Sequence, residues 1–106
     1  MNVPRSPSLE QEFYRPACKY CNQAAANGLQ AVEARAKLDG VSWVMLDTDD
    51  AKASARYVQR YGVRELPHFE FFSPDGTRAE VPEAGGPVDV ERIAARVHYL
   101  LFPDED

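Results

Sequence analysis

The chain reads as a single α/β domain with the element order βαβαββα, a four-stranded mixed sheet with helices on both faces. Three observations carry this. Strand-like and helix-like segments alternate along residues 9–101. The first strand, helix and second strand form a βαβ unit, which implies two parallel strands joined by a right-handed crossover. Two β-rich runs flank the turn Ser73-Pro74-Asp75-Gly76, which implies an antiparallel hairpin. The chain's 106 residues suffice for one core and not for two.

The elements follow in order. Residues 1–8 carry two prolines and two serines and read as a loose N-terminal segment. Residues 9–14 form a short strand with apolar ends, weakened by Glu10, Gln11 and Glu12. Arg15-Pro16-Ala17 turns the chain into a helix over residues 18–38. Its apolar stripe is Ala25, Leu29, Val32 and Ala36, spaced by three and four. Gly28 costs that helix about 1 kcal/mol relative to alanine. Asp39-Gly40 ends it. Residues 41–46 read as a buried strand and 51–61 as a second helix, with Ala55, Val58 and Tyr61 inward and Gly62 at its end. His68-Phe69-Glu70-Phe71-Phe72 is a strand of strong β formers. Residues 77–81 are its returning partner, and 82–87 a loop holding Gly85-Gly86. Asp89 caps a last helix running to about Leu101, with Val90, Ile93, Val97 and Leu100 on one face. The domain is thus 9–102, followed by an acidic tail at 103–106. The first and last helices cover one face of the sheet and the middle helix the other.

Composition excludes several classes. A net charge of -5 argues against nonspecific binding to nucleic acid or to an anionic membrane, both of which need a basic face. No apolar stretch approaches the roughly 20 residues of a membrane span. The first residues lack the apolar core of a signal peptide, so the cytoplasm is the expected location. Monomers are the expected form.

The only two cysteines stand as Cys18-Lys19-Tyr20-Cys21 at a helix start. Two thiols so placed can close into a disulfide and open again. The attacking species in thiol exchange is the thiolate, so a nucleophile needs stabilised negative charge and access to solvent. Unpaired N–H groups and the macrodipole at a helix N-terminus supply the first, and Arg15 and Lys19 add positive charge. A structural pair without chemistry is the alternative. With His68 and His98 the cysteines make up a Cys₂His₂ set, but the spacing is unlike a zinc finger and no metal is expected.

The element order, with C-x-x-C heading the first helix, resembles the thioredoxin-fold superfamily in its minimal form. Tyr61-Gly62-Val63-Arg64-Glu65-Leu66-Pro67 is similar to the segment leading into that superfamily's cis-proline. Phe71-Phe72-Ser73-Pro74-Asp75-Gly76 resembles the strand and turn that follow. The likeness covers residues 9–101. Starting almost directly on the active-site strand, and having Cys-Lys-Tyr-Cys rather than Cys-Gly-Pro-Cys, is similar to glutaredoxins. So is Gly85-Gly86 followed by Asp89, which resembles the glycine pair and acid that hold glutathione. Ala17 replaces the tryptophan before the thioredoxin cysteine. Met45 stands nearest the place of the lysine that partners the buried thioredoxin acid.

The resemblance implies a thiol–disulfide oxidoreductase, of thioredoxin or glutaredoxin type. Cys18 is then the nucleophile, Cys21 resolves the mixed disulfide, and a cis Pro67 lies beside them with backbone free to pair with substrate. Glu12, six positions before Cys18, is the candidate proton relay; the alternative, slightly preferred, is that it points to solvent. Arg15, Lys19, Tyr20, Leu66, His68, Gly85 and Gly86 are candidate substrate or glutathione contacts. For His68 a plain strand-entry role is as good a reading. A disulfide-containing protein or a small thiol is the implied substrate, and glutathione or a reductase the recycling partner. No bound cofactor is expected beyond the Cys18–Cys21 couple. The rival reading is a noncatalytic binding module that holds a peptide or protein partner in the groove at Pro67.

Overall fold

The computed structural model describes residues 8–79 and 82–102. The order is β1 (Leu9–Tyr14), α1 (Lys19–Ala24), a π-helical turn (Ala25–Leu29), α2 (Gln30–Leu38), β2 (Ser42–Asp47), α3 (Ala51–Tyr61), β3 (His68–Phe72), β4 (Glu83–Ala84) and α4 (Val90–Leu101). The sheet order is β2-β1-β3-β4, with β1 and β2 parallel and the other pairs antiparallel. Among the described residues no helix is long and apolar enough to cross a membrane. The expected loose segment 1–7 and acidic tail 103–106 lie outside the described residues. Ser8, read with the loose segment, is buried, and its carbonyl accepts from the Ser42 N–H at 2.7 Å.

β1 is central, so both of its faces are covered and alternation puts all of residues 10–13 inside. Glu10 and Glu12 face one layer with Trp43, Phe69 and Phe71; Phe13 faces the other with His68 and Glu70. The first layer is the main core. There Ala24, Leu29, Ala36, Ile93 and Val97 pack on Trp43, Phe69 and Phe71. Burying each of the two phenylalanines contributes about 1.5–3 kcal/mol. The second layer lies under α3: Tyr61 stacks on Phe13 at 6.3 Å and meets Phe72 edge-on at 5.7 Å. The caps act as the sequence suggests. The Asp50 carboxylate accepts from Ala53 N–H and that of Asp89 from Arg92 N–H, both at 3.2 Å.

Four expectations are corrected. The first helix is not continuous over 18–38: Asn27 and Gly28 leave helical geometry, with Gly28 at φ 106°. Only glycine adopts that φ without strain. The π turn makes the buried residues step by five from Ala24 to Leu29 instead of three or four, which keeps both on the core. The second strand is Ser42–Asp47 and is an edge, so Val44 and Met45 are exposed. Ala55 is exposed, and Ser54 is the buried residue of α3. The returning strand is not 77–81. Among the described residues the return is a short stretch, with the Thr77 carbonyl accepting from Ser73 N–H, Arg78 bridging Phe72 and Ala79 N–H donating to the Phe71 carbonyl, and the fourth strand lies at Glu83–Ala84, in the supposed loop. Residues 80–81 of that expected strand are outside the described set.

Candidate active site

Phe13 pairs with His68, so the chain leaves β1 and enters β3 at the same end of the sheet. That end gathers the site. Residues 15–18 turn back on themselves, with Cys18 N–H donating to the Arg15 carbonyl at 3.1 Å and Asn22 Nδ2 to the Pro16 carbonyl at 3.1 Å. Cys18 is the N-cap of α1, and its Sγ accepts the Cys21 N–H at 3.1 Å. Cys18 is half-buried and Cys21 buried. The two sulfurs are joined in a disulfide, with Cα atoms 5.2 Å apart. Across the sheet end, the Leu66–Pro67 peptide bond is cis. The Pro67 carbonyl accepts the Gly85 N–H at 2.9 Å, which brings the glycine pair to the same edge.

Cys21 and Ala24 are the buried residues of α1, one turn apart, and Ala24 packs in the main core layer. Glu12 lies in that layer, only 4% exposed, which corrects the preference for a solvent-facing side chain. Trp43 Nε1 donates to Glu12 Oε1 at 3.2 Å. Burial raises the Glu12 carboxyl to about 7; the Trp43 hydrogen bond pulls it down and the Glu33 charge pushes it up. Among the described residues no cation is paired with it. Met45, nearest the place of the thioredoxin lysine, pairs in register with Glu12 on the edge strand and is 46% exposed.

The other candidates divide. Arg15 sits 3.7 Å from Asp49 across an exposed pair, so part of its charge is already answered. Lys19 lies over the half-buried ring of Tyr20 at 5.7 Å. Leu66 is half-buried beside Pro67. Gly85 and Gly86 both have positive φ. The Glu65 carboxylate lies where a Cβ at Gly85 would sit, and φ 77° there favours glycine in any case. Asp89 spends its carboxylate on the α4 cap.

His68 is not brought to the cysteines. It points to the α3 face, where its ring lies 5.5 Å from Phe13 and Nε2 meets Glu70 Oε2. Glu70 also receives two bonds from Arg78, at 2.6 and 3.0 Å. His98 is far along the chain on the exposed side of α4, its ring tilted against that of Phe102 at 4.9 Å. Two features escaped the sequence reading. Trp43, within the strand read simply as buried, also holds Glu12; an indole N–H inside a core needs an acceptor, which is the signal that was there to be read. Glu10 and Glu70 are wholly buried, because they sit on strands covered on both faces.

No protein-family model matches the chain. It is 36% identical over 97 residues, 92% of its length, to protein disulfide-isomerase A2 of Pongo abelii, and spans 18% of that protein's length. The solved structure of the germline-specific thioredoxin Deadhead of Drosophila melanogaster superposes with a TM-score of 0.70 at 20% identity, covering 90% of this chain and 82% of that one. Oxidised thioredoxin O2 of Arabidopsis thaliana gives 0.69 at 21% identity, covering 91% and 76%. Identities this low speak for the fold alone.

Proposed function

We propose that this chain, a thioredoxin-fold protein with a C-x-x-C pair, is a thiol–disulfide oxidoreductase. The observation that carries the reading is the placement of Cys18: a helix cap whose sulfur already accepts a backbone N–H, joined to a buried partner. That N–H and the dipole behind it favour a thiolate there in the reduced protein.

In the reduced state Cys18 thiolate attacks one sulfur of a substrate disulfide. A new S–S bond forms to Cys18, and the other substrate sulfur leaves as a thiolate and takes a proton from water. Cys21 then gives its thiol proton to the Glu12 carboxylate and attacks Cys18 Sγ. The bond to substrate breaks, and the second substrate sulfur leaves and is protonated. Two electrons pass to the substrate, and the Cys18–Cys21 disulfide remains. An acid held at about 7 is half ionised near neutral pH, so it can take that proton and return it. Pro67 and Leu66 are proposed to line the approach, with Tyr20 and Lys19 on the rim.

Recycling by a reductase protein is favoured over glutathione. The Glu65 carboxylate occupies the space over Gly85, and Asp89 is engaged in its cap. A carboxylate at that edge repels the carboxylates of glutathione. Insulin reduction with dithiothreitol as electron source tests the function. The wild-type chain accelerates it and Cys18→Ser does not. A wild-type rate no better than that of Cys18→Ser leaves only the binding-module reading.

A further inference from the structure

Glu10 has no part in the scheme above, yet it is 0% exposed, and among the described residues neither of its carboxylate oxygens has a hydrogen-bond partner. It lies two residues before Glu12, on the same face of β1, in the layer where α1 packs Ala24, one turn on from the buried Cys21. A carboxylate in such a place is costly unless it is neutral. The charged groups facing it are few. Glu12 comes from β1 itself and Arg96 from α4, while Trp43 of β2 and Phe71 of β3 lie beside it in register. Arg96 is already bonded to Glu83 at 3.0 Å and stacked on Phe71 at 4.5 Å. Glu33 of α2 acts on Glu12 and is itself bonded to Lys37 at 2.7 Å.

We propose that Glu10 is a positioning residue for the exchange reaction: a second buried acid, coupled to Glu12, that keeps its proton while Glu12 gives and takes one. The layer under Cys21 then never holds two negative charges during turnover. The reaction acquires an upper pH limit where Glu10 ionises, since a second charge there opposes loss of the Cys21 proton. Burial and the Glu12 charge both push Glu10 well above the usual carboxylate range, against a smaller pull from Arg96. The two acids therefore titrate as a pair, in separate steps.

The inference rests on the oxidoreductase reading for its kinetic half only. Carbon-13 shifts of the glutamate carboxyls in the oxidised protein decide the coupling without any turnover. Glu10 should titrate above Glu12, and Glu12→Gln should lower the Glu10 midpoint by about one unit or more. The alkaline limb of the insulin-reduction profile should vanish in Glu10→Gln, an isostere that cannot ionise. A Glu10 that ionises with or below Glu12, or a midpoint unmoved by Glu12→Gln, overturns the coupling. An unchanged alkaline limb in an active Glu10→Gln overturns the role. A wild-type chain without exchange activity ends the oxidoreductase reading and the role with it, while the carbon titration still decides the coupling.

Discussion

The two faces of the sheet bury carboxylates in opposite ways. Under α3, Glu70 is fully enclosed but answered on both oxygens, by His68 and by the two bonds from Arg78. Under α1, α2 and α4, Glu12 has one indole N–H and, among the described residues, the Glu10 carboxylate has no hydrogen-bond partner. The first face uses its acid as structure. The second leaves both acids raised above the usual carboxylate range, Glu12 to about 7, and it is the face on which α1 packs Ala24, one turn on from the buried Cys21. Buried charge alone is therefore no marker of a site; buried charge without a counter-ion is.

The contrast can be broken most sharply on the paired side. Arg78→Ala leaves Glu70 buried without its cation, and urea unfolding should show a loss of about 4 kcal/mol. On the unpaired side the sign reverses. The Glu12 carboxyl is raised in the fold from 4.5 to about 7. A raised group contributes stability that is complete below pH 4.5 and lost as pH climbs through 7. Glu12→Gln removes that loss. It should stabilise the protein above pH 7 by on the order of 3 kcal/mol and flatten the stability curve between pH 4.5 and 7. A variant that is less stable than wild type at pH 8 would contradict this.

Two smaller effects sharpen the picture. Gly28→Ala meets no atom within 4 Å, so only the backbone at φ 106° opposes it. Thermal unfolding should register a loss of about 1 kcal/mol or somewhat more. Asp49→Ala frees Arg15 from an exposed pair and should change stability by less than about 1 kcal/mol. If it instead unfolds the site loop, Arg15 is doing more than the geometry allows.

Much of this was legible in the residues. Leu9–Tyr14, Ala51–Tyr61 and His68–Phe72 were read with the observed bounds, because breakers or caps flank each of them. The last helix followed from the Asp89 cap and its apolar spacing. The π turn was not legible, since Gly28 was weighed as a helix cost rather than as a change of phase. The fourth strand was misplaced for a different reason. The Ser73–Gly76 turn does form, with Gly76 N–H on the Ser73 carbonyl at 2.9 Å, and pairing continues through Ala79, but a tight turn does not oblige that stretch to become the regular fourth strand. The cysteine pair and Pro67 were readable because their spacing and order carry the chemistry. Glu10, Glu12 and Glu70 were not, since a glutamate on a strand looks solvent-facing until both faces of that strand are known to be covered.

The central claim is that the fold holds Cys18 ready as a thiolate. The pH dependence of iodoacetamide alkylation of Cys18 in the reduced protein tests it most directly. The account predicts a half-maximal rate well below the free-cysteine value of about 8.5. A midpoint at or above that value would contradict it.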